Sequence, residues 1–385
     1  MMELLFLLLP IAAAYGWYMG RRSAGHQHQR DVSEHSKNYF AGLNYLLSDE
    51  PDKAVDQFIS LVEVDSETIE THLALGRLFR QRGEVDRSLR IHQNLLARPN
   101  LSHEQRDNAL FELANDYLQA GLIDRSANLF IELSENKVYQ EKSLGHLVCI
   151  YQKTKDWQQA IDTSRLLVDL GKRQLIPARA HFYCELYESS DDNDDVTLLK
   201  RALQVDAGCT RARLLLGQHY YERDEFENCQ LIIDQFLAQD IDFFREAIDL
   251  FIKCYQARDQ LALLAIKLED AIAKGAGIAT LMAKIELAGD KLDNAQVEHM
   301  LTKHLFEAPS VIGFYHLMQV QIDVAENGKA KESLLHLKAL VAEQLKVRPV
   351  YRCGSCGFSA KKIQWQCPSC LTWGSVKPIR GLDGD

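Results

Sequence analysis

Positive charge is in short supply in this chain of 385 residues, where Lys and Arg number 44 against 54 Asp and Glu. That deficit argues against a general nucleic-acid binder, which needs a basic face to displace counterions. Catalytic signatures are missing as well. There is no Ser-His-Asp order, no H-E-x-x-H, no phosphate-cradling Gly loop and no pair of carboxylates in a recognisable setting. The chain is therefore expected not to be an enzyme, and no catalytic residue is assigned. An exported disulfide framework is absent too. The nine cysteines are an odd number, and Cys149, Cys184, Cys209, Cys229 and Cys254 fall singly in helical-looking segments, where they read as small core hydrophobes. Scattered thiols with one tight cluster suit a reducing compartment.

What is present falls into three parts. The first is an uncharged run of seventeen residues from Leu4 to Gly20. At about 1.5 Å per residue it spans roughly 25 Å, just short of a ~30 Å hydrocarbon core, with Tyr15, Trp17 and Tyr18 placed for the headgroup level. Pro10 should kink a helix there. Glu3 precedes the run and Arg21 and Arg22 follow it, the reverse of a secretory signal. Residues 1–22 thus read as an uncleaved, single-pass anchor in contact with membrane lipid through residues 4–20, with the N-terminus outward and everything else in the cytoplasm. A cleaved signal peptide, using the small residues at 12–14, and a buried apolar helix are the alternatives. In the polar linker at 23–34, His26 and His28 read as solvated.

The second part repeats with a period of thirty-four. Gly42, Tyr45, Ala54, Phe58 and Leu61 return as Gly76, Phe79, Ser88, His92 and Leu95. After a four-residue insertion they return again as Ala114, Tyr117, Ser126, Phe130 and Leu133, and then as Val148, Tyr151, Ala160, Ser164 and Leu167. Beyond a weaker unit around Cys184 and Tyr187, the frame reappears at Gly217, Tyr220, Cys229, Ile233 and Phe236. A small residue lets two helices approach, the aromatic three positions on shares its face, and the second helix supplies a small and then a large residue. Each hairpin completes its core only by stacking on neighbours. "RQRGEVDRS", "LQAGLIDRS" and "QKTKDWQQA" supply the turns. The acidic "SSDDNDDV" at 189–196 lacks the Gly and terminal Glu of a calcium loop and reads as a connector capping the next helix.

The pattern resembles the tetratricopeptide repeat family, closely over 35–170 and irregularly over 171–346. In that family first-helix positions grip partner peptides. Carried onto this frame, the resemblance implies a groove of Glu70, Arg77, Arg80, Gln81, Asn108, Asn115, Gln119, Lys142, Gln152 and Lys153, amide and cationic donors suited to extended backbone or carboxylates. A solvated helix face is the bland alternative.

The third part, residues 347–385, holds six Lys or Arg and two Asp, a small basic module on a body whose net charge is −14. Cys353 and Cys356 form one C-x-x-C, and Cys367 and Cys370 form another ten residues later. Two such knuckles supply four thiolates to a tetrahedral metal site, zinc being favoured and iron the alternative. Roughly forty residues cannot fold on their own buried surface, whereas a structural zinc site gains ~10–16 kcal/mol. Redox dithiols want a β-α-β context that is missing, and a disulfide conflicts with a reducing compartment. Tyr351, Phe358, Trp365 and Trp373 are expected to pack around the site or on the last hairpin. The module resembles rubredoxin-like and zinc-ribbon folds. An electron-transfer protein and a nucleic-acid module similar to the zinc elements of DNA-repair ATPases such as RadA are kept as alternatives.

The expected fold is all-α, a tetratricopeptide-type superhelix of helical hairpins with a small C-terminal ribbon and an N-terminal membrane helix. In that order of parts the whole chain resembles the LapB family of bacterial inner-membrane proteins. The resemblance implies a scaffold that limits lipopolysaccharide synthesis by bringing the deacetylase LpxC to the protease FtsH, and that contacts PbgA, which restrains the degradation. Whether the chain forms a homo-oligomer is left open by the sequence.

Overall fold

The computed structural model describes residues 15–19, 44–45, 53, 69–190 and 195–384. The chain divides into two compact units, Met1–Ile150 and Tyr151–Asp385. In the first, the described helices are α1 (Ile69–Gln81), α2 (Val85–Leu96), α3 (His103–Gln119), α4 (Ile123–Ser134) and the start of α5 (Gln140–Thr154). In the second, the rest of α5 leads into α6 (Trp157–Asp169), α7 (Ile176–Ser189), α8 (Val196–Val205), α9 (Thr210–Glu222), α10 (Phe226–Gln239), α11 (Phe244–Ala257), α12 (Leu261–Ala273), α13 (Ile278–Ala288), α14 (Asn294–Glu307), α15 (Val311–Val324) and α16 (Lys329–Val347). A three-stranded antiparallel sheet follows, β1 (Tyr351–Cys353), β2 (Ser359–Ala360) and β3 (Val376–Pro378), in the order β2-β1-β3.

The thirty-four-residue frame has a physical cause at each position. A Cβ on Gly76 would lie 2.3 Å from Nε2 of His92, so only glycine lets α1 and α2 close with a histidine between them. The small second-helix residue ties back to the first helix: the Ser88 hydroxyl donates to the Gly76 carbonyl at 2.8 Å, and Ser126 does the same to Ala114 at 2.8 Å. Phe79, Leu95, Phe130, Leu133 and Leu167 are all within 2% of full burial. Turns recur as faithfully. The carbonyl of the frame aromatic accepts the amide five residues on, from Glu84 to Phe79, Leu122 to Tyr117 and Asp156 to Tyr151, each at 2.9 Å. This closure needs a left-handed residue after the helix. Gly83 (φ 83°) and Gly121 (φ 75°) supply it, but Lys155 (φ 60°) holds the same place as a strained non-glycine.

Beyond residue 171 the helices still stack as hairpins around aromatic cores. Phe251 meets Phe236 and Phe244 edge-on at 5.9 and 5.0 Å. Cys184, Cys209, Cys229 and Cys254 are buried as small core residues, whereas Cys149 is exposed. The last helix, α16, packs on α15 and has no buried residue, as a terminal repeat with one open face should.

The membrane-spanning expectation is corrected. No described helix is long and apolar enough to cross a membrane, so the structure contradicts a single-pass inner-membrane placement. Of the apolar run, the described helical residues are Tyr15–Met19, about 7.5 Å of helix. Residues 4–14 and 20, the linker at 23–34, and Gly42, Ala54, Phe58 and Leu61 lie outside the described residues, as do residues 191–194 of the acidic stretch at 189–196.

Candidate metal centre and its docking face

The ribbon is built from two equivalent turns. In each, the amide following the second cysteine donates to the carbonyl of the first, Gly357 to Cys353 at 3.0 Å and Leu371 to Cys367 at 2.8 Å. Both residues after the knuckles are left-handed, Gly357 at φ 78° and Leu371 at φ 57°, which aims the sulfurs inward. Cys353 Sγ lies 3.7 Å from Cys370 Sγ, and Cys356 Sγ lies 3.6 Å from Cys367 Sγ. All four sulfurs fall within 4.8 Å of one another. A tetrahedron of ~2.3 Å metal–sulfur bonds has edges of about 3.8 Å, close to the two sulfur pairs here, so the four thiols could hold a single zinc or iron ion.

The sulfurs have polar support. The Ser375 hydroxyl, 3.2 Å from Cys353 Sγ, draws that thiol down to about 5, and Thr372, 3.3 Å from Cys370, lowers its thiol as well. Burial instead pushes Cys367 up to about 11. Such hydroxyls at thiolate ligands orient the sulfurs and hold their charge. Tyr351, Cys353, Cys367 and Val376 form the ribbon's own small core, with Phe358 against it.

Trp365 and Trp373 do not join the last hairpin. They point at the middle of the second unit. Trp373 stacks on His181 of α7 at 5.3 Å and meets Phe182 and Trp157 edge-on at 5.8 and 6.3 Å. Its indole N–H donates to Oε1 of Gln152 on α5 at 2.8 Å. Trp365 stacks on Phe243 and lies beside His181. The phenol of Tyr351 donates to Glu246 on α11, and Arg380 binds the Gly275 and Ile241 carbonyls and the Asp242 carboxylate at 2.7, 3.1 and 2.9 Å. The ribbon therefore lies across the first helices of successive hairpins in the second unit. A cleft of about 250 Å³ remains beside it, walled by Arg211 and Gln218 of α9, Glu246, and Ile363 and Trp365 of the ribbon.

His181 is the pivot of this contact. It is 4% exposed and its Nδ1 has no hydrogen-bond partner. Burial, aided by the nearby positive charge of Arg211, pushes its pKa down to about 3, so the imidazole is neutral and packs as an aromatic ring. Gly374, left-handed at φ 64°, presents an edge without a side chain to it, because a Cβ there would lie 3.2 Å from Nε2.

The ten groove positions divide between the two units. In the first unit Arg77 and Arg80 are held by Glu112 at 2.8 and 2.6 Å, and Arg80 also binds Asp116 at 2.8 Å. Burial opposes the Arg80 charge, but hydrogen bonds and attraction from the two carboxylates outweigh it and raise its pKa. Asp116, fully buried, also accepts from Ser88 at 2.6 Å and faces His92 Nδ1 at 2.5 Å. The Asn115 side chain donates to the Phe111 carbonyl at 2.8 Å. Glu70, Gln81, Gln119 and Lys142 are exposed and Asn108 is half-buried. In the second unit Lys153 is exposed, while Gln152 is occupied by the ribbon. Sequence reasoning missed His181, Glu246 and Arg380. No local motif marks them, and the one usable signal was the number of aromatic residues in a module too small to bury them alone.

Residues 351–378 match the family of the rubredoxin metal binding domain. Over its full length the chain is similar to lipopolysaccharide assembly protein B of Escherichia coli strain K12, 43% identical with all of both chains covered. The protein of the same name from Haemophilus influenzae is 40% identical over 98% of each chain. Among solved structures, a tetratricopeptide repeat protein from Parabacteroides merdae aligns over 71% of this chain and all of its own, at 12% identity and a TM-score of 0.31. With repeats and ribbon both matched end to end at 43% identity, this chain belongs to the lipopolysaccharide assembly protein B family.

Proposed function

We propose that this protein is a non-enzymatic scaffold of lipopolysaccharide assembly, and that it lowers lipopolysaccharide synthesis by presenting LpxC to the protease FtsH, with PbgA as a restraining partner. The observation that carries the scaffold reading is the use made of the cysteine module. Its four thiols have the geometry of a structural site, and its aromatic residues are spent on fixing it to the helical repeats. Cys353, Cys356, Cys367 and Cys370 would hold the ion, and the ion would brace the module that docks on the helices of the second unit. The exposed first-helix positions Glu70, Gln81, Gln119 and Lys142 of the first unit, with Arg77 at their edge, are the proposed contacts for a client segment.

Such a molecule works by effective concentration. Holding client and protease on one body makes their encounter nearly intramolecular, raising avidity ~100-fold or more without new chemistry. The test is the half-life of LpxC in cells lacking this protein and complemented with either the natural chain or the Gln81→Glu, Lys142→Glu double variant. The natural chain should shorten the half-life several-fold and the variant should not. Equal half-lives with and without the natural chain would overturn the proposal.

A further inference from the structure

The ribbon sheet has two faces of opposite character. Tyr351, Cys353 and Val376 turn inward, and the alternate residues turn out. Register places Arg352 directly opposite Lys377 on one side and Ser359 on the other, so one row of side chains crosses all three strands on the exposed face. Like charges directly opposite one another destabilise a sheet, and here nothing offsets them. Of the six cations in the module, Arg348 is paired with Asp383 and Arg380 with Asp242. Among the described residues, Arg352, Lys362 and Lys377 have no ion-pair partner, and Lys361 meets only the Lys346 carbonyl, at 2.5 Å. The acidic body supplies Glu246 and Asp242 to the docked side of the ribbon, and among the described residues no carboxylate pairs with Arg352, Lys362 or Lys377.

We infer that this basic face, Arg352 and Lys377 with Lys361 and Lys362 beside them, is a docking surface for an acidic segment of a partner protein. Neighbouring strands lie ~4.8 Å apart, which sets the Arg352 and Lys377 heads at a spacing met by carboxylates one helical turn apart, about 5–6 Å. Single-stranded nucleic acid is disfavoured because the aromatic rings that would stack on bases, Trp365 and Trp373, are committed to the repeats. A bilayer is disfavoured because the row Arg352, Ser359 and Lys377 offers no apolar side chain to enter the interface.

The experiment uses the full chain with its metal and a labelled fourteen-residue peptide carrying Glu pairs at i, i+4 on an Ala background, with the Gln-for-Glu peptide as control. Binding is read by fluorescence anisotropy across a salt series. The Glu peptide should bind, weaken with salt and lose about tenfold in affinity to the R352Q/K377Q double variant, and Lys362→Gln alone should cost a few-fold. Both variants should keep one metal ion per chain and an undiminished melting temperature, since the first removes only repulsion. Binding of the Glu peptide unaffected by R352Q/K377Q, or no better than that of the Gln peptide, would overturn the inference. So would phosphatidylglycerol vesicles or single-stranded DNA that bound more tightly than the Glu peptide and depended on the same two residues.

Discussion

Replacing Trp373 with alanine separates the ribbon's grip on the repeats from its grip on the metal. The indole is 8% exposed, and a tryptophan that deep removes on the order of 200 Å² from water, about 5 kcal/mol at ~25 cal/mol per Å². The stack on His181 and the edge contacts with Phe182 and Trp157 are lost with it, as is the indole hydrogen bond to Gln152. Relaxation around the cavity recovers part of this, so the net loss should be about 3–5 kcal/mol. Urea unfolding followed by far-ultraviolet circular dichroism measures it, with metal content measured on the same sample. Trp373 is not a ligand, so one ion per chain should remain. Trp373→Phe keeps the ring contacts and should cost only about 1 kcal/mol through the lost indole hydrogen bond to Gln152. A loss below 1 kcal/mol for Trp373→Ala would refute the docking argument.

Three further outcomes follow from the same geometry. Because the folded state holds His181 at about 3, its contribution is complete above the ordinary histidine value near 6.5 and drains away as pH falls toward 3; about 2 kcal/mol should be gone by pH 5. His181→Phe should flatten that slope in denaturant titrations taken between pH 7 and 5. Removing the metal with a thiol reagent at pH 7 should release one ion and unfold the ribbon while α1 to α5 keep their helicity, as read by hydrogen exchange. Acid should release the ion as well, because protons compete for the four thiolates. Lys155→Gly should stabilise the chain by about 0.5–1 kcal/mol, since the turn at φ 60° there strains any side chain, and a raised melting temperature would show it.

Much of this was legible in the residues. Gly76, Ser88 and Leu95 announced a hairpin because close helix approach admits few alternatives, and the four cysteines announced a metal site because tetrahedral thiolate geometry fixes their spacing. The docking face was not legible. His181 and Trp373 are 192 positions apart, and nothing in either neighbourhood encodes their meeting; it follows from how many hairpins the chain stacks before it returns. Gln152 illustrates the limit. Its place on a first helix marked it as a groove position for a partner peptide, whereas in the fold its side chain accepts from the ribbon of its own chain. Arg77 and Arg80 were read as donors for a client, yet Glu112 and Asp116 from the next hairpin claim them. Those contacts depend on rotation between hairpins, which periodicity does not specify. The apolar run at 4–20 read as a span from length and flanking charge, and no described helix meets the requirement.

The central claim, that a metal-braced ribbon locked onto helical repeats presents one protein to another, is tested most directly by degradation of purified LpxC by purified FtsH with ATP. Adding the natural chain should accelerate LpxC loss several-fold, and adding the Trp373→Ala chain, metal still bound, should restore most of the unassisted rate. Acceleration by both chains alike, or by neither, would contradict the account.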